Sequence, residues 1–198
     1  MDTLTKLTDE ELAMAYIDGN NRAFDLLLSR NQSKLYSYIM FVVRDRDKAE
    51  DIFQETFVKV ITRLHQRRYV PSGKFSAWIM RIAHNVIMDR YRSSKLQNII
   101  EPTADNDLSN IAPSHLSETN RESRYVNDQV MSDVRRMVSQ LPPPQREMVY
   151  MRFYQHIPFK EIAEMTGVSI NTALGRMRYA IINLRRMAKA NNIALQLD

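Results

Sequence analysis

The chain has 198 residues, 44% of them hydrophobic and 26% charged, which suits one or two small folded domains and excludes disorder throughout. Its formal net charge is +5, and because it has no cysteine it forms neither a disulfide framework nor a thiolate metal site. No run of about 18 apolar residues is present and the first residues are polar and acidic, so we expect no membrane insertion, no secretory signal and a cytoplasmic location.

Helical patterns follow one another along the N-terminal half of the chain. Thr8 and Glu11 have the spacing of a capping box, in which the hydroxyl accepts from a first-turn amide while the carboxylate reaches back. Apolar residues then recur every three or four positions within residues 22–43, 47–65 and 74–94, which predicts three further amphipathic helices.

Residues 96–125 lose this period and are rich in Pro, Ser, Asn and Asp, which favour turns over helix. The helical pattern resumes at residue 126 and stops before Pro142, because the residue that precedes a proline is pushed out of the α region. The next predicted helix includes the apolar residues Met148 and Phe153, and Pro158 suits the first turn of the one after it.

A tight turn separates the last two predicted helices. Gly167 can adopt the positive φ that ends a helix, and Ser169 is a good N-cap for a helix from Ile170 to about Lys189. This is the pattern of a helix-turn-helix, whose second helix commonly enters the DNA major groove; the alternative is an ordinary α-hairpin with a solvated basic face.

No segment alternates with period two for long enough to predict a strand. We therefore predict an all-α fold of two small helical domains, the second containing the helix-turn-helix. The predicted domains cover residues 1–95 and 126–198, and residues 96–125 form an acidic flexible linker between them.

Charge is distributed unevenly along the chain. Residues 62–95 carry 8 basic side chains against one acidic residue, residues 96–125 carry 2 against 5, and residues 174–198 carry 5 against one. One basic segment is usually a solvated helix face, but two in a small protein favour a polyanion that is bound at two places.

Two stretches of the chain resemble the conserved domains of bacterial sigma factors. "LPPPQREMVYMRFYQHIPFKEIAEMTGVSINTALGRMRYAIINLRR" resembles the domain that recognises the −35 promoter element. "DKAEDIFQETFVKVITRL", followed by "GKFSAWIMRIAHNVIMDRYRS", resembles the domain that binds RNA polymerase core and opens the −10 element. A chain with only these two domains and a short linker is similar to the extracytoplasmic-function group.

The resemblance implies roles for residues on the helix over 47–65. It implies that three polar residues face the clamp helices of the largest polymerase subunit: Asp51, Gln54 and Glu55. They lie away from the apolar face of the helix, where a solvated surface is the alternative interpretation.

The basic segment combines cations with aromatic and amide side chains, as strand opening requires: cations follow phosphates, and an aromatic ring or amide captures an unstacked base. By resemblance the contacts to the −10 element and its single strand are assigned to Tyr69, Lys74, Arg81 and Asn85. Tyr69 and Asn85 are the candidates for flipped-out bases, whereas Phe75 and Trp78 are expected in the core.

The N-terminal half of the recognition helix is where base edges are reached. The −35 contacts are assigned to Ser169, Asn171, Thr172, Arg176 and Arg178. Arg176 could contact guanine through two hydrogen bonds, while Arg178 is expected mainly at phosphates. The chain departs from the family at Leu174 and Gly175, and this glycine is expected to permit close backbone approach to DNA or to a neighbouring helix.

No enzyme site is predicted. The four histidines have no metal-ligand spacing, no phosphate-binding loop is present, and we expect no cofactor or metal. Asp89 and Arg90 are expected to form an ion pair on the helix surface. The expected partners are RNA polymerase core, promoter DNA and an anti-sigma factor. The resemblance implies that the linker passes through the polymerase interior; a passive tether is the alternative. The alternatives are a helix-turn-helix regulator that acts without a holoenzyme and, in another class, a helical nucleic-acid-processing enzyme.

Overall fold

Four α-helices form the first unit of the chain, after a 3-10 turn over Thr3–Lys6. The computed structural model describes residues 3–98 and 124–191. The helices of the first unit are α1 (Asp9–Ile17), α2 (Asn21–Val43), α3 (Arg46–His65) and α4 (Phe75–Asn98).

Local signals begin two of these helices, the first as predicted and α3 one residue before its predicted start. The capping box at Thr8 is present with both of its hydrogen bonds, and the Asp45 side chain accepts from the backbone N–H of Lys48 at the start of α3. The helix α4 continues to Asn98, three residues beyond the predicted end of the domain, through good helix formers such as Lys95 and Leu96.

The core of the first unit is built from the predicted apolar faces. Its largest fully buried side chains come from all four helices and include Leu12, Leu27, Leu35, Tyr38, Ile39, Leu64, Phe75, Ile79, Ile82 and Ile87. The helices α1 and α2, α2 and α3, and α3 and α4 pack against one another, so each amphipathic helix covers the apolar face of the next.

The rest of the described chain, residues 124–191, is also helical. Its elements are α5 (Arg124–Gln140), α6 (Pro143–Val149), a π-helical turn (Tyr150–Tyr154), α7 (Phe159–Thr166) and α8 (Ile170–Ala190). No strand occurs in residues 3–98 or 124–191, and the predicted all-α class is confirmed. Residues 99–123, the larger part of the predicted linker, lie outside the described residues.

The π-helical turn explains one incorrect expectation. Phe153 was predicted among the apolar positions of its helix, but its side chain is 59% exposed. The backbone N–H of Gln155 donates to the carbonyl of Tyr150, five residues earlier, at 3.2 Å. This wider turn breaks the 3.6-residue period, so an apolar residue placed by that period no longer points inward.

Candidate protein and nucleic-acid interfaces

The acidic face of α3 lies on the surface of the first unit. Asp51 and Gln54 are exposed and Glu55 is half-buried. Their helical spacing puts them on one side of α3 together with Val58, an apolar side chain that is 62% exposed. Val58 was not among the predicted site residues, although its spacing of four residues from Gln54 and three from Glu55 already places it off the apolar face.

Arg90 of α4 binds two of these acidic residues. Its Nη1 lies 3.4 Å from Asp51 Oδ2, and its Nη2 lies 3.0 Å from Glu55 Oε2. The Lys59 ammonium group lies 2.9 Å from Glu55 Oε1. The hydrogen bond from Lys59 and, secondly, those from Arg90 hold the pKa of Glu55 below its ordinary value, against the opposing effect of burial.

The expected pair of Asp89 and Arg90 is not formed. Successive helical residues point in different directions, so Asp89 pairs instead with Arg92, three positions along, at 3.1 Å. Arg90 is thereby directed to α3, and it neutralises carboxylates that the sequence analysis treated as facing only solvent or a partner.

A basic and polar stripe runs along α4. Lys74, Arg81 and Asn85 are exposed, and their spacing of seven and four residues places them on one side of the helix. Trp78 lies within the same stripe and is half-buried against Tyr69 and Phe75. The stripe therefore offers cations, an amide and one edge of an aromatic side chain to a ligand.

Tyr69 does not present its ring to solvent. The side chain is only 5% exposed, and its ring centroid lies 5.3 Å from that of Phe75 and 4.7 Å from that of Trp78. Its hydroxyl donates to Glu10 Oε1 at 2.6 Å. The expectation of an open loop aromatic is corrected here: a ring that fills a packed cluster has no face available for an unstacked base.

The tight turn of the helix-turn-helix has the predicted geometry. Gly167 has φ +67°, and the backbone N–H of Val168 donates to the carbonyl of Ala163 at 3.1 Å, which closes the end of α7. Ser169 caps α8, where its hydroxyl accepts from the backbone N–H of Thr172 at 3.1 Å. The capping role leaves Ser169 at the surface but engages its Oγ.

The predicted DNA-contacting residues lie on α8 outside its buried face. Asn171, Thr172 and Arg178 are exposed, whereas Arg176 is half-buried. Helical spacing separates them into two rows: Asn171 lies with Arg178, and Thr172 lies with Arg176. Leu174 is also exposed, at 44%.

Gly175 makes no close approach to a neighbouring helix. Apart from the backbone of α8 itself, no described heavy atom would lie within 4 Å of a Cβ atom added to Gly175, so that part of the expectation is wrong. Approach to DNA stays a prediction.

None of the helices in the described ranges combines the length and apolar character that a membrane span requires.

Comparison with known proteins gives a family for both units. Residues 27–97 match the family described as Sigma-70 region 2, and residues 131–174 match Sigma-70, region 4. The chain is 25% identical over 176 residues to the RNA polymerase sigma-H factor of Pseudomonas aeruginosa, with 88% of this chain and 90% of the relative covered. It is 27% identical over 180 residues to the ECF RNA polymerase sigma factor SigM of Mycobacterium tuberculosis, covering 91% and 84%.

Solved structures agree with this fold. The structure of CnrH in complex with the cytosolic domain of CnrY matches with a TM-score of 0.61 and 22% identity, covering 92% of this chain and 98% of that one. The sigma factor RpoE of Bartonella quintana, in complex with the anti-sigma factor NepR, matches with a TM-score of 0.57 and 22% identity, covering 84% and 96%. From the two family matches, in this order, and the relatives aligned over most of its length, the chain belongs to the extracytoplasmic-function group of sigma factors, which bind RNA polymerase core and direct transcription initiation at promoters.

Proposed function

We propose that the two units divide the work of promoter recognition. In this proposal residues 1–95 bind RNA polymerase core and open the −10 element, residues 96–125 link the units, and residues 126–198 read the −35 element. The separate family matches to regions 2 and 4 support the division. As in the rest of the family, the chain acts in initiation without catalysing a reaction.

The contact with the polymerase clamp helices is assigned to the acidic face of α3, with Asp51, Gln54 and Glu55. Exposed Val58 on the same face supports a protein partner, since protein interfaces combine apolar and polar contacts. Arg90 already engages two of the carboxylates, so a basic group of the polymerase would share them with this arginine.

The −10 contacts are assigned to the stripe of α4. Lys74 and Arg81 would follow phosphates of the unpaired strand, and Asn85 would contact a base edge, since its amide offers both donors and an acceptor. Tyr69 contributes by packing within the loop and does not act as the stacking ring. The exposed positions of the other three residues on one side of α4 carry this proposal.

The −35 contacts are assigned to α8. Its N-terminal half would reach base edges through Asn171, Thr172 and Arg176, and Arg178 would bind phosphate. Ser169 acts chiefly as the helix cap, so a DNA contact would use the lone pairs or proton that its capping bonds leave available.

An anti-sigma factor is the proposed regulator. Both CnrH and RpoE were solved with a partner, which the RpoE structure describes as an anti-sigma factor. Because transcription takes place there, the proposed location is the cytoplasm.

Promoter opening tests the −10 assignment. Asn85→Ala should slow opening of a duplex promoter by roughly tenfold, which corresponds to about 1.4 kcal/mol. Permanganate reactivity of unpaired thymines measures the opening, with holoenzyme reconstituted from purified core. Ser93→Ala is the control, because Ser93 is exposed on the same helix but lies off the stripe.

A template already unpaired across the −10 element should restore much of the opening by Asn85→Ala. Wild-type opening by this variant on duplex DNA would show that the stripe is wrongly assigned.

A further inference from the structure

The first turn of α1 makes a long-range contact with the start of α4. Glu10 Oε1 accepts from the Tyr69 hydroxyl at 2.6 Å and from the backbone N–H of Phe75 at 3.1 Å. These partners lie 59 and 65 residues further along the chain. Phe75 is the first residue of α4, so the carboxylate satisfies an N–H that the helix itself leaves without a partner.

The adjacent residue fixes α1 to a second helix. Asp9 accepts from Arg30 Nη1 at 3.1 Å and from Asn31 Nδ2 at 2.9 Å, and both donors belong to α2. Arg30 also donates to the carbonyl of Leu7 at 2.7 Å. The first turn of α1 therefore has a fixed position on α2, and Glu10 reaches the loop from a rigid base.

This carboxylate determines where the loop over residues 66–74 returns to the fold. Tyr69 stands in the middle of the loop, and its ring packs against Phe75 and Trp78. Lys74 directly precedes the amide that Glu10 accepts from, and Trp78 lies one turn further along α4. The family match to region 2 begins only at residue 27, so α1 and Glu10 lie outside it.

We propose that Glu10 is a positioning residue for promoter opening, which holds Tyr69 and the first turn of α4 so that the stripe over Lys74, Trp78, Arg81 and Asn85 meets the unpaired strand. The inference rests on the proposed −10 contacts. It gives α1 a part in promoter opening, although α1 itself supplies no proposed contact with DNA.

Binding of a single strand to the holoenzyme isolates this role. The probe is a labelled single-stranded DNA that carries the non-template −10 segment of a promoter selected from genomic DNA with the wild-type holoenzyme. Glu10→Ala and Tyr69→Phe should each weaken its binding by roughly fivefold to tenfold, as expected for loss of a hydrogen bond that involves a charged group. Fluorescence anisotropy gives the affinity, and circular dichroism and thermal unfolding verify that each variant is folded.

Two further variants separate positioning from general stability. Glu10→Gln keeps an acceptor oxygen and should retain most of the wild-type affinity. Asp18→Asn removes a carboxylate directly after the end of α1 that also reaches the loop, at 3.3 Å from Arg67, but both side chains are largely exposed. It should bind the probe like the wild type, since exposed ion pairs contribute little.

The preference of each variant for the selected −10 bases distinguishes positioning of the DNA-binding surface from a general loss of stability. Glu10→Ala and Tyr69→Phe should lose preference for the selected strand over one with substituted −10 bases, which a fold that is merely less stable would not lose. Wild-type affinity and preference in both variants would overturn the inference, and if Glu10→Ala does not fold, Tyr69→Phe decides. Asn85→Ala is measured in parallel. If Asn85→Ala weakens binding and the Glu10 and Tyr69 variants do not, the −10 assignment stands and the role of Glu10 fails. If the Glu10 and Tyr69 variants weaken binding and Asn85→Ala does not, the Asn85 contact fails and the role of Glu10 stands.

Discussion

The phenol of Tyr69 is enclosed by two aromatic side chains and donates its proton to a carboxylate. Burial and, secondly, the hydrogen bond to Glu10 raise the pKa of Tyr69 far above its ordinary value of 10.0. A raised folded pKa means that the contribution of this group to the free energy of unfolding is fully present below about pH 10. That contribution is lost as the pH rises through the folded pKa.

We expect Tyr69 to stay protonated through pH 10 while the first unit is folded. The absorbance of ionised tyrosine, followed in the wild type and in Tyr69→Phe, gives the titration of this residue as a difference. Ionisation of Tyr69 should coincide with alkaline unfolding, which circular dichroism follows independently. An ordinary titration near pH 10 in the folded protein would contradict the buried, hydrogen-bonded phenol.

Neutral substitutions are the suitable test of polymerase binding by the acidic face of α3. Lysine at Asp51 and Glu55 would face Arg90, so reversal of charge would disturb the fold as well as the interface. Asp51→Asn combined with Glu55→Gln should lower affinity for polymerase core by about tenfold, while the unfolding free energy changes by no more than about 1 kcal/mol.

A competition pull-down with labelled wild type measures the core affinity. Glu50→Gln is the control, because Glu50 is also an ion-paired carboxylate of α3 but pairs with Arg46 and lies on the far side of Gln54 from Asp51 and Glu55. Unchanged competition by the double variant would remove Asp51 and Glu55 from the polymerase interface.

The structural roles of residues with local partners can be predicted well from the sequence. Ser169 caps α8 by accepting from the backbone N–H of Thr172, three residues along, and Gly167 adopts a positive φ; both features depend only on the local turn. Tyr69 and Arg90 were misjudged because their partners lie 59 and 35 or more residues away, on helices whose packing the local pattern does not encode.

At the scale of elements, the two glycines of the helix-turn-helix have opposite roles. Gly175 lies inside α8 with open space around it, whereas Gly167 has φ +67° in the turn. Gly175→Ala should raise the free energy of unfolding by about 0.5–1 kcal/mol, since alanine is the better helix former. Gly167→Ala should lower it by about 1–2 kcal/mol, the cost of a left-handed conformation for a residue with a Cβ atom.

Urea unfolding of the two variants measures these changes, and equal effects at both positions would contradict the assigned geometry. The same Gly175→Ala protein tests backbone approach to DNA. If α8 needs that glycine in the groove, holoenzyme with this variant binds the −35 element more weakly despite its greater stability.

Helix periodicity predicts most elements of this fold because each helix has one apolar face. The bounds of α2 and α3 differ from the predicted ones by one residue at their starts and agree at their ends. The period fails at the π-helical turn, where Phe153 is exposed, because a turn closed by a hydrogen bond between residues five apart does not follow the 3.6-residue spacing.

For the whole molecule, charge is segregated into three surfaces, two on the first unit and one on the second. The first unit combines an acidic face on α3 with a basic stripe on α4, and the second carries a basic α8 without any acidic residue from Ile170 to Ala190. In the proposed function, one protein partner and two DNA elements account for these three surfaces. A regulator that binds only duplex DNA would have no use for the first two.

Transcription by purified components tests most directly whether the chain directs initiation by RNA polymerase core. RNA polymerase core is combined with the chain on promoter fragments selected from genomic DNA, and the transcripts are mapped. Transcripts should start at a defined position only when the chain is present, with unpaired thymines in the −10 element. Binding of those fragments as duplex without core, together with no defined start when core and the chain are combined, would contradict a role in promoter-directed initiation.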